Sequence, residues 1–205
     1  MGDVLPEFVS PMLAQIGEPF DSEDYFFEVK WDGTRAIALV EGGGEPGYRL
    51  HNRRKFDMLP RYPELGFLGQ LPAGVVLDGE IVVLRDGKPS FRDVMTRDHA
   101  RNPARIRHLI ETHPVHYMVF DLLYQNFEAV VGAPLSERRE RLQELVAACG
   151  HERLVLSRGV TGEGVRFFEE ACQRELEGVI AKRLASRYRP GQRSDSWLKI
   201  KRKDG

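Results

Sequence analysis

The chain has 205 residues, of which 41% are hydrophobic and 30% charged, with a formal net charge of −1. That length supports one good-sized core, or a large domain with a small lobe, and a near-neutral total excludes binding to nucleic acid by bulk charge alone. No apolar run approaches the roughly 20 residues of a membrane-spanning helix. The opening lacks the basic and apolar regions of a secretory leader, so a soluble, cytoplasmic chain without membrane partners is expected. Charge is unevenly placed: residues 1–30 carry seven acids against the single base Lys30, and residues 182–203 carry nine bases against one acid, Asp195. The basic segment reads either as a phosphate-binding strip or as a solvated edge strand. Cys149 and Cys172 have no metal-ligand or redox spacing, and Cys172 falls in a helical run that suits a buried structural thiol.

Residues 5–18 are marked by Pro and Gly and read as a segment wrapping the surface. Strand-like runs follow at 25–30 and 35–40, flanking the turn Trp31-Asp32-Gly33-Thr34. Gly42-Gly43-Gly44 reads as a hairpin tip before a strand at 48–51. A strong strand over 75–84 breaks at Asp86-Gly87, a second hairpin signal, and 115–123 is another strong strand. Helical periodicity appears at 104–112, 137–149 and 163–176. Ser136 is the candidate N-cap of the second helix, and Gly150 follows its end. Two last strands are expected at 178–182 and 197–201. Strands and helices do not alternate regularly, which predicts an α+β fold with antiparallel sheets.

Four segments carry chemistry. Lys30 lies near a strand end, before an Asp-Gly turn, in an apolar and aromatic setting. An amine with an ordinary pKa of about 10.4 is a poor nucleophile until desolvation or a nearby cation frees its lone pair. The strand over 76–83 contains Asp78 and Glu80, which require a cation, a hydroxyl or a metal if buried. Glu177 precedes Gly178 in a run ending at Lys182. Lys199 and Lys201, two residues apart, share one face of a strand. Each segment alone has a bland structural reading. His99, His108, His113 and His116 fit no standard zinc spacing and read as ordinary helix and loop residues. The charge run over 137–144 reads as a solvated helix face.

Taken in order, these segments resemble the covalent nucleotidyltransferase superfamily of DNA ligases, RNA ligases and capping enzymes. Lys30-Trp31-Asp32-Gly33 is similar to motif I, and Asn52-Arg53-Arg54-Lys55 to a degenerate motif Ia. Leu77-Asp78-Gly79-Glu80 is similar to motif III and Phe120-Asp121-Leu122-Leu123 to motif IIIa. Glu177-Gly178-Val179-Ile180-Ala181-Lys182 matches motif IV, and Trp197-Leu198-Lys199-Ile200-Lys201 motif V. The style is nearest to bacterial and archaeal ATP-dependent DNA ligases, especially ligase domains of bacterial end-joining enzymes, whose start Pro11-Met12-Leu13-Ala14 also resembles. The resemblance implies two largely antiparallel sheets flanked by helices, in an ATP-grasp-like ligase nucleotidyltransferase fold over residues 1–205, with no OB-fold domain.

The same resemblance implies site roles. Lys30 is the residue that carries AMP. Glu28 reads the adenine amino group and Phe120 stacks on the base. Arg35 and Arg53 hold the ribose or phosphates, while Lys182, Lys199 and Lys201 contact the α-phosphate. Glu80 and Glu177 hold Mg²⁺ or Mn²⁺, Glu80 alternatively the ribose. The implied partners are ATP, nicked double-stranded DNA, and an OB-fold domain or repair proteins in trans, with a nucleoid-associated location. The alternatives are an RNA ligase or capping-type enzyme, or a non-catalytic nucleic-acid-binding module of the same fold.

Overall fold

The alternating runs at the middle of the chain form the centre of a large sheet, and the runs at its two ends pair with each other to form a second. In a computed structural model, which describes residues 4–202, the strands are β1 (Leu13–Ile16), β2 (Ser22–Val29), β3 (Thr34–Val40), β4 (Tyr48–Asn52), β5 (Val75–Arg85), β6 (Lys88–Pro89), β7 (Val115–Gln125), β8 (Glu128–Ala129), β9 (Leu154–Leu156), β10 (Gly159–Gly162), β11 (Gly178–Arg183) and β12 (Arg193–Lys201). The helices are α1 (Phe91–Asp98), α2 (Pro103–Thr112), α3 (Leu135–Cys149) and α4 (Gly164–Gln173), with 3-10 turns at Leu59–Arg61 and Pro63–Gln70. Asp3 and Lys203, counted in the two charged segments, lie outside the described residues.

The smaller sheet has the order β1-β12-β11-β2-β10. The larger has β4-β3-β5-β7-β8, with β6 on β5 and β9 on β7. Pairing is antiparallel except for β1 with β12 and β7 with β9, as an α+β fold of hairpin-linked strands requires. The β5–β6 hairpin turns at Asp86 (φ 51°) and Gly87 (φ 77°), the double left-handed geometry that suits strand twist and a Gly at the second position. Gly150 ends α3 in the left-handed region.

Strand alternation sorts side chains into three cores. Between the sheets lie Ile37, Leu39, Val76, Phe120 and Leu123 of the larger sheet with Trp197 of the smaller. The outer face of the larger sheet packs under α3 and the 3-10 turns, and the outer face of the smaller packs Phe27, Val179 and Ile200 against Ala171 of α4.

Several local expectations are corrected. Residues 5–18 do not merely wrap the surface: Leu5, Val9 and Met12 are buried, and β1 completes the smaller sheet by pairing with β12. Ser136 is not an N-cap. Helix α3 starts two residues earlier, with Pro134 at the cap position and no side-chain cap. Its first amides are satisfied instead by the turn after β11, Leu135 donating to the Ser186 carbonyl (2.9 Å) and Ser136 to that of Leu184 (3.1 Å). The 163–176 helix contracts to α4, because Glu175 takes a positive φ of 60°. Cys172, like Cys149, is only part-buried. Helix α1 has no apolar stripe to announce it; a short polar run is started by Ser90, whose side chain accepts from the Asp93 amide.

The largest correction concerns the charge run of α3. Arg138 is fully buried, its Nε and Nη2 donating to both oxygens of Asp121 at 2.7 and 2.9 Å and its Nη1 to the Ala133 and Ser186 carbonyls. Asp121 is the register partner of Asp78 across β5 and β7, and Asp78 is equally buried. Arg35 neutralises Asp78 through Nε (2.5 Å) and Nη2 (2.6 Å), and the Tyr188 hydroxyl donates to it at 2.6 Å. Two buried carboxylates thus sit side by side, each with its own arginine.

Stripping one partner from a buried pair leaves an uncompensated charge, which costs about 3–5 kcal/mol. Arg138→Met is therefore expected to lower unfolding free energy in urea by that amount, and adding Asp121→Asn to recover part of it. A single substitution that costs less than about 1 kcal/mol would show that the pair does not anchor α3.

Candidate active site

The end of β2 places the nucleophile candidate. Glu28 and Lys30, two residues apart, project from the same face of the smaller sheet. The Lys30 amide donates to the Gly178 carbonyl at 3.0 Å, and the turn that follows is fixed at three points. Trp31 Nε1 donates to the Ser157 hydroxyl (3.0 Å) and the Thr34 hydroxyl to Asp98 (2.5 Å). Gly33 passes so close to β5 that a Cβ would lie 2.1 Å from the Ile81 carbonyl oxygen, so no larger residue fits.

Register orders the cationic residues along that face. Lys201 pairs with Gly178 near Lys30, Lys199 and Glu28 flank Ile180, and Lys182 lies between Phe26 and Trp197. At the first end Lys30 forms an ion pair with Glu177, whose other oxygen meets Lys201 Nζ at 2.8 Å. Burial works to raise the Glu177 pKa, but hydrogen bonds and charge from Lys201 and Lys30 outweigh it and hold the carboxyl below its ordinary range. At the far end Lys182 is fully buried. It pairs with Glu28, and its ammonium lies 4.3 Å from the Phe120 ring centre and 4.1 Å from that of Trp197. Burial lowers its pKa against the pull of Glu28.

The larger sheet supplies the opposite wall: Arg35 from β3, Glu80 from β5, Phe120 from β7 and Arg53 from the turn after β4. Arg35 and Glu80 are register partners, and the Arg35 guanidinium lies over Phe120 at 4.7 Å. Between the walls is a cavity of about 240 Å³, lined by Glu28, Lys30, Arg35, Arg53, Glu80, Phe120, Lys182 and Lys199 among others. Its one end is charged and its other aromatic, which suits a ligand with a phosphate tail and a planar base. Glu177 and Lys201 line an adjoining cavity with Asp32 and reach the first through the Lys30 contact.

The two carboxylates expected to hold a metal therefore stand in different cavities, and among the described residues no group of three or more His, Cys, Asp or Glu is placed to hold an ion. Single carboxylates suit Mg²⁺ or Mn²⁺ bound chiefly through substrate phosphate oxygens and water. Sequence reasoning assigned no role to Arg139, Asp98 or Ser157. Arg139 donates to Glu28 at 3.3 Å, but a basic residue inside an alternating charge run carries no signal that separates it from a solvated one.

Residues 11–201 match the family described as ATP dependent DNA ligase domain. The chain is 35% identical over 195 residues to the SPbeta prophage-derived DNA ligase-like protein LigB of Bacillus subtilis, covering 94% of this chain and 67% of that protein. It is 36% identical over 200 residues to the multifunctional non-homologous end joining DNA repair protein LigD of Mycobacterium tuberculosis, covering 94% of this chain and 24% of LigD. The crystal structure of the ligase domain of M. tuberculosis LigD superposes with a TM-score of 0.78 at 34% identity, over 94% of this chain and 60% of that one. A mycobacterial DNA ligase D complexed with ATP and MES gives 0.78 at 33%, over 96% and 61%. The two facing sheets with a lysine at the cavity's charged end are the adenylation-domain fold of DNA ligases. The chain belongs to the ATP-dependent DNA ligase domain family.

Burial raises the pKa of Glu80 from 4.5 to about 8, against the attraction of Arg35 and Lys30. The folded protein thus keeps a proton that the unfolded chain releases near pH 4.5, so Glu80 costs increasing stability as pH rises from there to about 8. In EDTA, Glu80→Gln is expected to melt progressively higher than the parent as pH is raised through that window. Parallel Tm–pH curves would show that Glu80 is already ionised in the folded state.

Proposed function

We propose that this chain is a DNA ligase adenylation domain acting in strand-break repair, with Lys30 as its covalent AMP carrier. The observation that supports this most directly is the position of Lys30, at the charged end of a cavity whose other end is walled by Phe120 and Trp197. In the reaction the Lys30 ammonium gives up a proton to solvent and the neutral amine attacks the α-phosphorus of ATP. An N–P bond forms, the P–O bond to pyrophosphate breaks, and the nitrogen loses a second proton to solvent. AMP then passes to the 5′-phosphate of a nick, and the 3′-hydroxyl displaces AMP to seal the strand. Positioning and charge neutralisation supply most of the catalysis in such transfers.

Before ATP arrives, Glu177 holds the Lys30 ammonium and Lys201 holds Glu177. Lys199 and Lys201 are placed to contact the α-phosphate, with Arg53 on the opposite wall for ribose or phosphate. Lys182, expected at the α-phosphate, sits at the aromatic end beside Glu28 and the Phe120 ring. Arg35, expected at the ribose or phosphates, is engaged by Asp78 and lies over Phe120. Mg²⁺ or Mn²⁺ bound at Glu80 or Glu177 would neutralise phosphate charge. The exposed Arg183, Arg187, Arg189 and Arg193 supply a basic surface for the phosphates of nicked DNA, whose affinity should fall steeply with salt. An OB-fold domain or repair proteins acting in trans complete the DNA grip. No helix among the described residues is long and apolar enough to cross a membrane.

Intact mass after incubation with ATP and Mg²⁺ should rise by one AMP and return on excess pyrophosphate. Lys30→Ala should give no adduct, and Glu177→Gln should slow its formation on the order of a hundredfold. Absence of an adduct, even with an OB-fold ligase domain supplied in trans, would overturn the enzymatic reading.

A further inference from the structure

Arg139 enters the nucleotide cavity's back wall from outside. It stands one residue after Arg138 on α3, so the helix presents the two about 100° apart, Arg138 into the larger sheet and Arg139 onto the smaller. Its Nη1 donates to Glu28 Oε2 at 3.3 Å and its Nη2 to the Ser157 carbonyl at 3.1 Å. Its guanidinium lies over the Phe26 ring at 3.6 Å. The side chain is 14% exposed and the Glu28 side chain 2%. Arg139 and Phe26 also line an open groove between α3 and β9, so this arginine separates the groove from the cavity.

Glu28 is consequently gripped from two directions. Lys182 takes Oε1 from the aromatic end of the cavity, and Arg139 takes Oε2 from the helix. With Lys182 alone, the carboxylate could turn both oxygens onto one ammonium. A second cation at a fixed angle prevents that turn. The planar guanidinium suits the task because stacking on Phe26 and bonding to Ser157 fix its own plane; an ammonium has no plane to fix. Ser157 itself is fully buried, and its hydroxyl receives Trp31, the neighbour of Lys30. The same residue therefore sets both the base-facing acid and the nucleophile turn.

We infer that Arg139 is a positioning residue for base recognition: it holds the Glu28 carboxylate turned toward the 6-amino group of a bound adenine, and so sets discrimination for that amino group. The inference rests on the adenylation reading above and adds to it the residue that enforces the choice of base.

The test compares equilibrium binding of ATP with that of purine riboside 5′-triphosphate, which lacks the 6-amino group, to the full chain in EDTA. The wild type should prefer ATP roughly tenfold or more, as expected for a hydrogen bond to a charged acceptor. In Arg139→Met the preference should fall to about twofold or less, with affinity for the analogue nearly unchanged. Arg139→Lys, which keeps the charge but not the plane, should fall between. Equal weakening of both nucleotides, or an unchanged ratio in folded Arg139→Met, would overturn the inference and reduce Arg139 to a structural tie. Should Arg139→Met fail to melt cooperatively, an Arg139→Lys ratio equal to the wild type's is the overturning result. A wild type that shows no preference overturns the inference while the AMP adduct on Lys30 still stands. A wild type that binds neither nucleotide and forms no adduct removes the adenylation reading itself.

Discussion

Two fully buried aspartates lie opposite each other at the centre of the larger sheet, and the rest of the molecule is arranged to make that tolerable. Asp78 and Asp121 are register partners on β5 and β7, where facing like charges repel and low dielectric magnifies the repulsion. Each is neutralised by a different element: Arg35 comes from the neighbouring strand, Arg138 from helix α3. Tyr188, from the segment before β12, adds a hydroxyl to Asp78 and accepts the Met12 amide at 2.8 Å. The pair of acids thereby ties the larger sheet to α3, to the start of β12 and to the N-terminal segment at once. These are the parts that enclose the cavity.

The two helices nearest the site share a pattern. Helix α1 anchors itself with buried Arg97, which donates to both oxygens of Glu64 at 2.6 and 2.9 Å, and its next residue, Asp98, receives Thr34 beside the nucleophile turn. Helix α3 anchors with Arg138 and presents Arg139 to Glu28. In each case a buried arginine fixes the helix, and the following residue bonds to the β2–β3 region, Asp98 to Thr34 after the Lys30 turn and Arg139 to Glu28 in the cavity wall. A functional side chain needs placement to a fraction of an ångström, and the turn after Lys30 is held by Ser157, Asp98 and the close passage of Ile81 on β5, which lie outside the cavity lining.

Much of this was legible in the sequence. The long strands, the Asp86-Gly87 hairpin, the Gly150 helix end and the grouping of Glu28, Lys30, Arg35, Arg53, Glu80, Phe120, Lys182 and Lys199 around one cavity all follow from periodicity or ordered motifs. Asp78 announced itself as a buried acid needing a partner, though nothing in the sequence named Arg35 and Tyr188. Arg138 and Arg139 were invisible, because a Glu/Arg run on a helix has the same composition whether it faces water or a buried acid. Strand β1 was hidden for a different reason. Four residues of no marked alternation become a strand only because β12, far along the chain, offers an open edge. The α3 cap was missed because backbone carbonyls, which have no sequence signature, do the work assigned to Ser136.

The pairing of β1 with β12 joins residues 180 positions apart, Leu13 with Arg193. The larger sheet, by contrast, takes β3 to β9 from one continuous stretch of chain, mostly through neighbouring strands. Its contacts are comparatively local and can form early, while the smaller sheet must wait for β11 and β12 before β2 has a neighbour on that side. Among the strands of this domain, β2, which ends beside Lys30, precedes most others in the chain and gains its β11 neighbour among the last. The wall bearing Glu80 and Phe120 can thus form before the wall that carries Lys30, and until β12 closes the smaller sheet the cavity between them has only one side.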